Sequence, residues 1–245
     1  MEKHFKARGL GETKPIMRIF AKVCGLAFTV ACWVWALNGQ RSDGWIMVLI
    51  WCAPLFTFPI TLLGRKALDA RPDVARAEWV NIPVHYAMMI VLGISLFPGF
   101  RLLLQQPKVK IMVLQPLLSV LVILTGIATV MTVLNLAWRG LGAPFAVRLS
   151  SRLATDWMYA WTRNPMLLCS LAWFLSLALL HASVWGVLWM TVCISPGWIF
   201  FVRVYEEREL VIRFGPSYLE YRARTPFFWP HRPWPIKHKI SGGKE

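Results

Sequence analysis

Charged residues are scarce in this 245-residue chain, and acidic residues are the scarcest among them. Charged side chains make up 16% of the sequence, with 12 Asp and Glu against 27 Lys and Arg. A water-soluble domain of this length needs a more polar surface. The shortage of charge therefore excludes an ordinary soluble domain. The hydrophobic content of 57% and the mean hydropathy of +0.51 indicate an integral membrane protein.

The sequence also lacks the patterns of several reactive sites. Its five cysteines fall within apolar runs without a CxxC pair, which indicates small buried side chains rather than disulfides or metal ligands. No Ser/His/Asp or Cys/His arrangement is predicted, because His181 and Cys169 lie at different depths of the same predicted hairpin. We therefore expect no metal and no covalent enzyme intermediate. No cleavable signal peptide is expected either, since residues 1–15 are polar and basic.

The net charge of +15 does not indicate a nucleic-acid partner. The basic residues lie between apolar runs instead of forming a continuous face, so anionic lipid headgroups are the expected partner. The 14 tryptophans agree with this interpretation, because indole side chains favour the membrane–water interface.

Six apolar segments are long enough, or nearly so, to form membrane-crossing helices of about 20 residues. An all-α integral membrane fold with about six transmembrane helices follows. The segments lie at 17–37, 44–64, 79–100, 111–138, 164–182 and 184–204.

The distribution of Lys and Arg between these segments predicts the orientation. Basic residues are concentrated before residue 17, in 65–78, in 139–163 and after 203, and they are sparser in the alternate connections. By the positive-inside rule, the first set faces the cytoplasm. Both termini are therefore expected in the cytoplasm.

The last two segments predict a hairpin that brings distant polar residues together. Each is roughly 30 Å long as a helix, and they are joined by a turn at 181–183. Arg163 and Asn164 should then lie beside the acidic run 206–209, although some forty residues separate them. Pro165 suits a first helical turn and Asn164 an N-cap, so the polar groups could be merely the end of a membrane helix.

The combination of the two runs also fits a ligand. A helix N-terminus offers free N–H groups to a carboxylate, and an acidic residue across the hairpin suits hydroxyls or an ammonium group. S-adenosylmethionine carries all of these groups. The competing interpretation of 206–209 is a charged helix surface emerging into water.

Two runs flank the predicted hairpin: YAWTRNPMLL at 159–168 and EERELVIRFGPSYLEYRARTPFFWP at 206–230. Together they resemble the isoprenylcysteine carboxyl methyltransferase family, with phospholipid methyltransferases sharing a looser form. The resemblance covers about 155–230, whereas the first four segments show no motif. Two departures are Leu167 in place of the usual tyrosine and Cys169 in place of the usual glycine. The matching residues are Tyr159, Arg163, Asn164 and Pro165 in the first half, and Glu206, Glu207, Leu210, Phe214, Gly215, Tyr218, Tyr221, Pro226 and Pro230 in the second.

The resemblance implies an S-adenosylmethionine-dependent methyltransferase acting on a lipidic acceptor that enters from the bilayer. Arg203 and Arg163 are the implied catalytic residues, with Arg203 the nearest candidate for holding a substrate carboxylate. The asparagine at 164 is a familiar variant in bacterial-looking members, which implies a bacterial inner membrane. The implied cofactor-binding residues are Asn164, Pro165, Met166, Leu167, Glu206 and Glu207.

The expected organisation has four parts, the third of which includes a tail that could act as a lid. They are a cytoplasmic arm (1–16), a four-helix region (17–138), a methyltransferase-like region (139–235) and a basic end (236–245).

Alternatives to the carboxyl methyltransferase remain open. The first is a phospholipid N-methyltransferase. The second is an NADPH-dependent membrane reductase, because membrane sterol reductases end in a related hairpin but usually have more spans. The third is a non-enzymatic membrane protein retaining the fold, which the residues at 167 and 169 favour.

Overall fold

The structure is a computed structural model that describes residues 15–38, 43–103, 112–138 and 153–231. The predicted basic end and all but the last two residues of the predicted arm lie outside the described residues. The described chain is helical and contains no strand. The helices are α1 (Pro15–Asn38), α2 (Asp43–Cys52), α3 (Thr57–Ala70), α4 (Val74–Leu103), α5 (Gln115–Trp138), α6 (Met158–Trp161), α7 (Pro165–Leu180), α8 (Val184–Trp189), α9 (Ser195–Phe201), α10 (Glu207–Phe214) and α11 (Pro216–Arg224).

Five continuous helical stretches are long and apolar enough to cross a membrane, so the protein is an all-α integral membrane protein. The fifth predicted span, 164–182, forms α7, which has 16 residues and is therefore only roughly 24 Å long. Short 3₁₀ or π turns join some of these helices end to end into two longer helical rods. One rod comprises α2 and α3, and the other comprises α8 to α10. The five stretches are Met17–Asn38, Gly44–Ala70, Val74–Leu103, Gln115–Leu136 and Val184–Phe214.

Helices α1 and α4 run parallel and pack closely. The Tyr86 hydroxyl donates to the Lys22 carbonyl at 2.9 Å, and further along both helices Arg101 donates to the Leu37 carbonyl at 2.9 Å. This parallel arrangement requires the chain between them to cross back, as the α2–α3 rod does. The order of the first three spans therefore agrees with the alternation predicted from the sequence.

The hairpin of α7 and α8–α10 turns where the sequence predicts. Ala182 adopts a positive φ of 52°, and the Ser183 hydroxyl accepts from the Gly186 amide at 3.0 Å, capping α8. The same hydroxyl donates to the Leu103 carbonyl at 2.5 Å, so the turn is fixed to the end of α4. The C-terminal end of α7 is thereby placed relative to the first half of the chain.

The core lies where the α8–α10 rod packs against α2, α3 and α4. Trp189, Met190, Ile194 and Tyr205 on this rod are completely buried. The Trp189 indole donates to the Ile50 carbonyl at 3.1 Å, which satisfies its polar atom inside the core. Helix α5 packs mainly on α7 and leaves most of its surface exposed, as a lipid-facing helix does.

Candidate functional site

The hairpin mouth is the open end of the α7/α8–α10 hairpin, formed by residues 159–167 and 203–209. Arg163 Nη2 lies 2.8 Å from Glu207 Oε1, which confirms that the two polar runs meet. Both side chains are nearly buried, with 10% and 7% exposure. The contact lacks hydrogen-bond alignment, and Arg163 Nε and Glu207 Oε1 have no hydrogen-bond partner among the residues that the structure describes.

The guanidinium of Arg163 is held by the C-terminal tail. Its Nη1 donates to the Arg222 carbonyl at 2.9 Å, and its backbone amide donates to the Pro226 carbonyl at 2.9 Å. A planar guanidinium with several fixed contacts keeps one orientation. Arg163 is therefore a rigid part of the mouth rather than a mobile headgroup anchor.

Asn164 occupies the predicted N-cap position, but its side chain does not cap α7. Asn164 Nδ2 instead donates to the Phe227 carbonyl at 2.9 Å. The same carbonyl accepts from the Thr162 hydroxyl at 3.1 Å. The polar side chains before α7 therefore bond to the tail instead of capping the helix. Pro165 stands at the first helical position as predicted, where its missing N–H leaves no unpaired donor.

The tail strap, residues 225–231, lies along the residues before α7. The His231 amide donates to the Trp161 carbonyl at 3.0 Å, and the Tyr221 hydroxyl of α11 donates to the Tyr159 carbonyl at 2.7 Å. Gly215 makes this return possible, because its φ of 53° breaks the rod between α10 and α11. The long helix therefore ends at Phe214, and α11 begins at Pro216.

The side chain of Arg203 lies beside the strap at the hairpin mouth. Its guanidinium lies 5.5 Å from the centroid of the Phe227 ring, and the guanidinium of Arg163 lies 5.9 Å from the same centroid. The side chain of Arg203 is exposed, unlike that of Arg163. Both guanidinium groups therefore make cation–π contacts with the same ring, and that of Arg203 stays accessible to a ligand.

Glu206 and Glu207 are adjacent in sequence but contact different groups. A π turn at Val202–Glu206 precedes α10, and the Glu207 amide bonds to the Val202 carbonyl five residues back. Glu207 faces Arg163, whereas Glu206 Oε1 lies 3.2 Å from Nε2 of His85 on α4. Wide helical turns of this kind are frequent at functional sites, since they change the direction in which side chains point.

Three tyrosines outside the spans line this region and remain protonated. Burial and the nearby negative charge of Glu206 raise the pKa of Tyr159. Burial and Glu207, to which Tyr218 donates a hydrogen bond, raise the pKa of Tyr218, and burial raises the pKa of Tyr221.

The first turn of α7 contributes apolar surface behind these polar groups. Pro165 and Leu167 are buried, Met166 is half-buried, and Leu167 belongs to the main core. Leucine therefore fills space as a core residue where the resembled family has tyrosine. The structure brings all the residues of the predicted site to one end of the hairpin.

His85 is the residue that the sequence motifs missed. It lies in a span without a motif and becomes part of the mouth only through the packing of α4 against the rod. A titratable residue inside an apolar helix is the available signal, because such residues are costly in a membrane and commonly functional. The spacing of residues along the sequence does not predict that His85 contacts Glu206.

Residues 114–217 match the family model for phospholipid methyltransferase. The match begins just before α5, includes the hairpin with its π turns, and ends in the first turn of α11. It points to a membrane methyltransferase acting on lipid-like substrates, and such an enzyme implies S-adenosylmethionine as the methyl donor. No curated protein and no solved structure matches the chain.

The family match and the helix packing both associate α5 with the helices of the hairpin. The Thr125 and Ser176 hydroxyl oxygens are 3.2 Å apart across the α5–α7 contact. Helix α5 therefore supports the hairpin directly, although the sequence assigned it to a region without a motif. His85 and all of α4 lie outside the matched segment.

Proposed function

We propose that the protein is an S-adenosylmethionine-dependent methyltransferase that acts on a lipid-borne acceptor at the hairpin mouth. The observation that carries the proposal is the meeting of Arg163 with Glu207 at 2.8 Å, with Glu206 beside them, inside the matched segment. The packing joins a cationic group, two carboxylates and apolar helix surface at one end of the hairpin. That composition fits a charged cofactor next to a lipidic substrate.

The polar groups present fit the methyl donor. Arg163 Nε is a buried donor without a hydrogen-bond partner within the described chain, whereas Glu207 Oε1 is paired with the Arg163 guanidinium at 2.8 Å. Such an orphaned donor is costly unless a ligand or water satisfies it. Glu206, with 33% of its side chain exposed, is suited to the ribose hydroxyls or the ammonium group. Asn164, Pro165, Met166 and Leu167 would form the opposite wall.

Methyl transfer requires the protein mainly to position the reactants and to keep water away from them. When bound, S-adenosylmethionine supplies an activated methyl carbon, to which the acceptor's lone pair bonds as the carbon–sulfur bond breaks and leaves a neutral thioether. The buried Arg163–Glu207 pair and the strap fix one wall of the site, which favours an in-line approach. The apolar start of α7 limits water around the nucleophile.

Arg203 favours a carboxylate acceptor. Its exposed guanidinium beside Phe227 can hold an anion at the edge of the mouth, as carboxyl O-methylation of a prenylated cysteine requires. The second candidate acceptor is a phospholipid amine, which the family match favours. In that case, Arg203 would hold the lipid phosphate instead.

The proposal includes an orientation and a division of the chain. Both termini are proposed to face the cytoplasm, because Lys and Arg are concentrated in the connections on that side. The membrane is proposed to be that of a bacterial cell, on the ground of the asparagine at 164. The residues after 138 form the methyltransferase-like region, and the preceding helices support it. Labelling cysteines introduced at 4 and 182 with a membrane-impermeant reagent, in intact and opened cells, tests the orientation.

Binding of the methyl donor tests the site. Isothermal titration of S-adenosylmethionine into purified wild type, Glu206→Ala, Arg163→Ala and a control His181→Gln is the experiment. We expect binding by the wild type and the control, and losses of at least tenfold in the other two variants. Equal affinity in all four, or no binding to the wild type, rejects the proposed site. NADPH binding in its place would favour a reductase, and binding of neither compound a non-enzymatic role.

The acceptor is identified by the stability of the product. Purified protein is incubated with methyl-labelled S-adenosylmethionine and either a farnesylated cysteine derivative or phosphatidylethanolamine vesicles. A methyl ester releases volatile methanol in alkali, whereas an N-methyl group does not. Alkali-labile label on the farnesylated acceptor supports the carboxyl methyltransferase. Alkali-stable label on the phospholipid overturns that choice in favour of N-methylation.

A further inference from the structure

His85 connects the first half of the chain to the proposed site. Its Nε2 lies 3.2 Å from Glu206 Oε1, and the two residues are 121 positions apart in sequence. The imidazole is largely enclosed, with 17% of the side chain exposed. A histidine from α4 thus contacts the carboxylate that the proposed function assigns to the cofactor.

The hydrogen bonds of His85 indicate where its protons lie. Nδ1 lies 3.1 Å from the Asn81 carbonyl oxygen, which can only accept, so Nδ1 carries a proton. Nε2 faces the Glu206 carboxyl group, so one further proton must lie between them. The pair therefore shares one hydrogen bond, which ties one carboxyl oxygen of Glu206 to the imidazole.

The surroundings hold the imidazole ring in place. Its centroid lies 5.3 Å from that of Phe201 and 5.9 Å from that of Tyr205, both with edge-on geometry. The Tyr205 hydroxyl donates to Asn81 Oδ1 at 3.3 Å, which ties the same turn of α4 to the rod. The ring can therefore hold Glu206 in one orientation.

The neighbouring carboxylates are occupied, which distinguishes Glu206. Glu207 is paired with Arg163, and Glu209 is paired with Arg213 at 2.9 Å; both carboxylates are 7% exposed. Glu206 is 33% exposed and bonds to His85 through one oxygen. Its second oxygen is the part of the acidic run best able to meet a ligand.

We propose that His85 is a positioning residue of the methyl-donor site: it holds one oxygen of Glu206 so that the other is presented to the donor's ribose hydroxyls or ammonium group. This inference rests on the proposed function. It adds α4, which lies outside the family match, to the site. A carboxylate fixed in this way loses less rotational freedom on binding, so the affinity is higher.

A double-mutant cycle on donor binding tests the inference. S-adenosylmethionine is titrated into wild type, His85→Leu, His85→Gln, Glu206→Ala and the His85→Leu/Glu206→Ala double variant, with His181→Gln as a matched histidine control. Thermal unfolding of each protein in detergent shows whether it is folded. We expect His85→Leu to weaken binding about tenfold, as loss of a supporting hydrogen bond commonly does at ligand sites.

Two further results are expected, and a merely structural histidine would not give them. His85→Gln, which keeps an N–H donor, recovers most of the affinity. The double variant binds no more weakly than Glu206→Ala alone, because the effect of His85 passes through Glu206. Wild-type affinity in folded His85→Leu, or additive losses in the double variant, overturns the inference.

The failure of the inference is distinguishable from the failure of the proposed function. No binding to the wild type, or undiminished binding to Glu206→Ala, removes the proposed site and this inference with it. Binding that is lost in Glu206→Ala but kept in His85→Leu overturns only the role of His85. Should His85→Leu not fold, His85→Gln is compared with His85→Asn, whose shorter donor cannot reach Glu206; equal affinity of these two variants overturns the inference.

Discussion

At the residue scale, the hairpin mouth depends on a nearly buried ion pair held from several sides. Arg163 contacts Glu207 with one nitrogen and the Arg222 carbonyl with another, while Tyr218 donates to Glu207. Removing one partner of a buried pair leaves the other charge uncompensated in a medium of low polarity. The pair therefore matters to stability as well as to any ligand.

Replacing Arg163 by Ala should lower the free energy of unfolding by about 3 kcal/mol, the usual effect of leaving a buried carboxylate without its partner. Adding Glu207→Gln to this variant should recover part of the loss, because the uncompensated charge is then removed. Thermal or denaturant unfolding in detergent measures both effects. A double variant less stable than Arg163→Ala alone would contradict a role for charge.

Asn164 gives a second prediction at this scale. In Asn164→Asp, a carboxylate replaces the amide that donates to the Phe227 carbonyl, so two acceptors face each other. We expect about 1–3 kcal/mol of local destabilisation. Hydrogen exchange should rise at residues 225–231 and stay unchanged in α1. Unchanged exchange in the strap would show that this contact does not hold the tail.

The sequence predicts the residues of the mouth better than their partners. That Arg163 and the acidic run meet follows from the length of a helical hairpin. Which of Glu206 and Glu207 faces Arg163 does not, because the π turn before α10 shifts the helical phase and has no simple sequence signature. The role of His85 depends on packing between spans far apart in sequence.

At the element scale, the break between α10 and α11 directs the tail back to the mouth. Gly215 has φ 53° and ψ −128°, a conformation that a residue with a Cβ rarely adopts. A Cβ at this position would meet no other atom within 4 Å, so any effect of substitution comes from the backbone alone.

Gly215→Ala should therefore cost about 1–3 kcal/mol and displace the strap. Weaker binding of S-adenosylmethionine and faster proteolysis of the tail are the expected readouts. Gly44→Ala is the matched control, because a Cβ there also meets nothing within 4 Å but the residue lies in helix α2. Equal effects of the two substitutions would contradict the importance of the turn.

The elements themselves were largely predictable. Long apolar runs predict membrane helices, and the structure has helices at all six predicted positions. The sequence predicted where α7 begins, but not that the Asn164 side chain bonds to the strap instead of capping the helix. Apolar composition indicates where a helix can exist, whereas tail contacts decide how the polar groups before this one are paired.

At the scale of the whole molecule, the two halves fit together through glycines on the hairpin and spans. A Cβ at Gly197 would lie 2.2 Å from Thr57 Oγ1, and one at Gly99 would lie 2.5 Å from the Trp189 ring. These close approaches set the distances of α3 and α4 from the rod. The contact between His85 and Glu206 depends on the same packing.

Gly197→Ala should separate α3 from the rod and destabilise the protein by about 1–3 kcal/mol, as overpacking usually does. Adding Thr57→Ala removes the nearest atom and should recover part of the stability. Unfolding measurements on both variants provide the test. Full stability of Gly197→Ala would contradict this description of the interface.

Both halves of the chain are proposed to form one methyl-donor site at the hairpin mouth. An experimental structure of the protein with S-adenosylhomocysteine would decide whether they do. We expect the ligand between Asn164 and Glu206, with His85 still bonded to Glu206. A ligand bound elsewhere, or a mouth filled by side chains with Glu206 facing away, would contradict it.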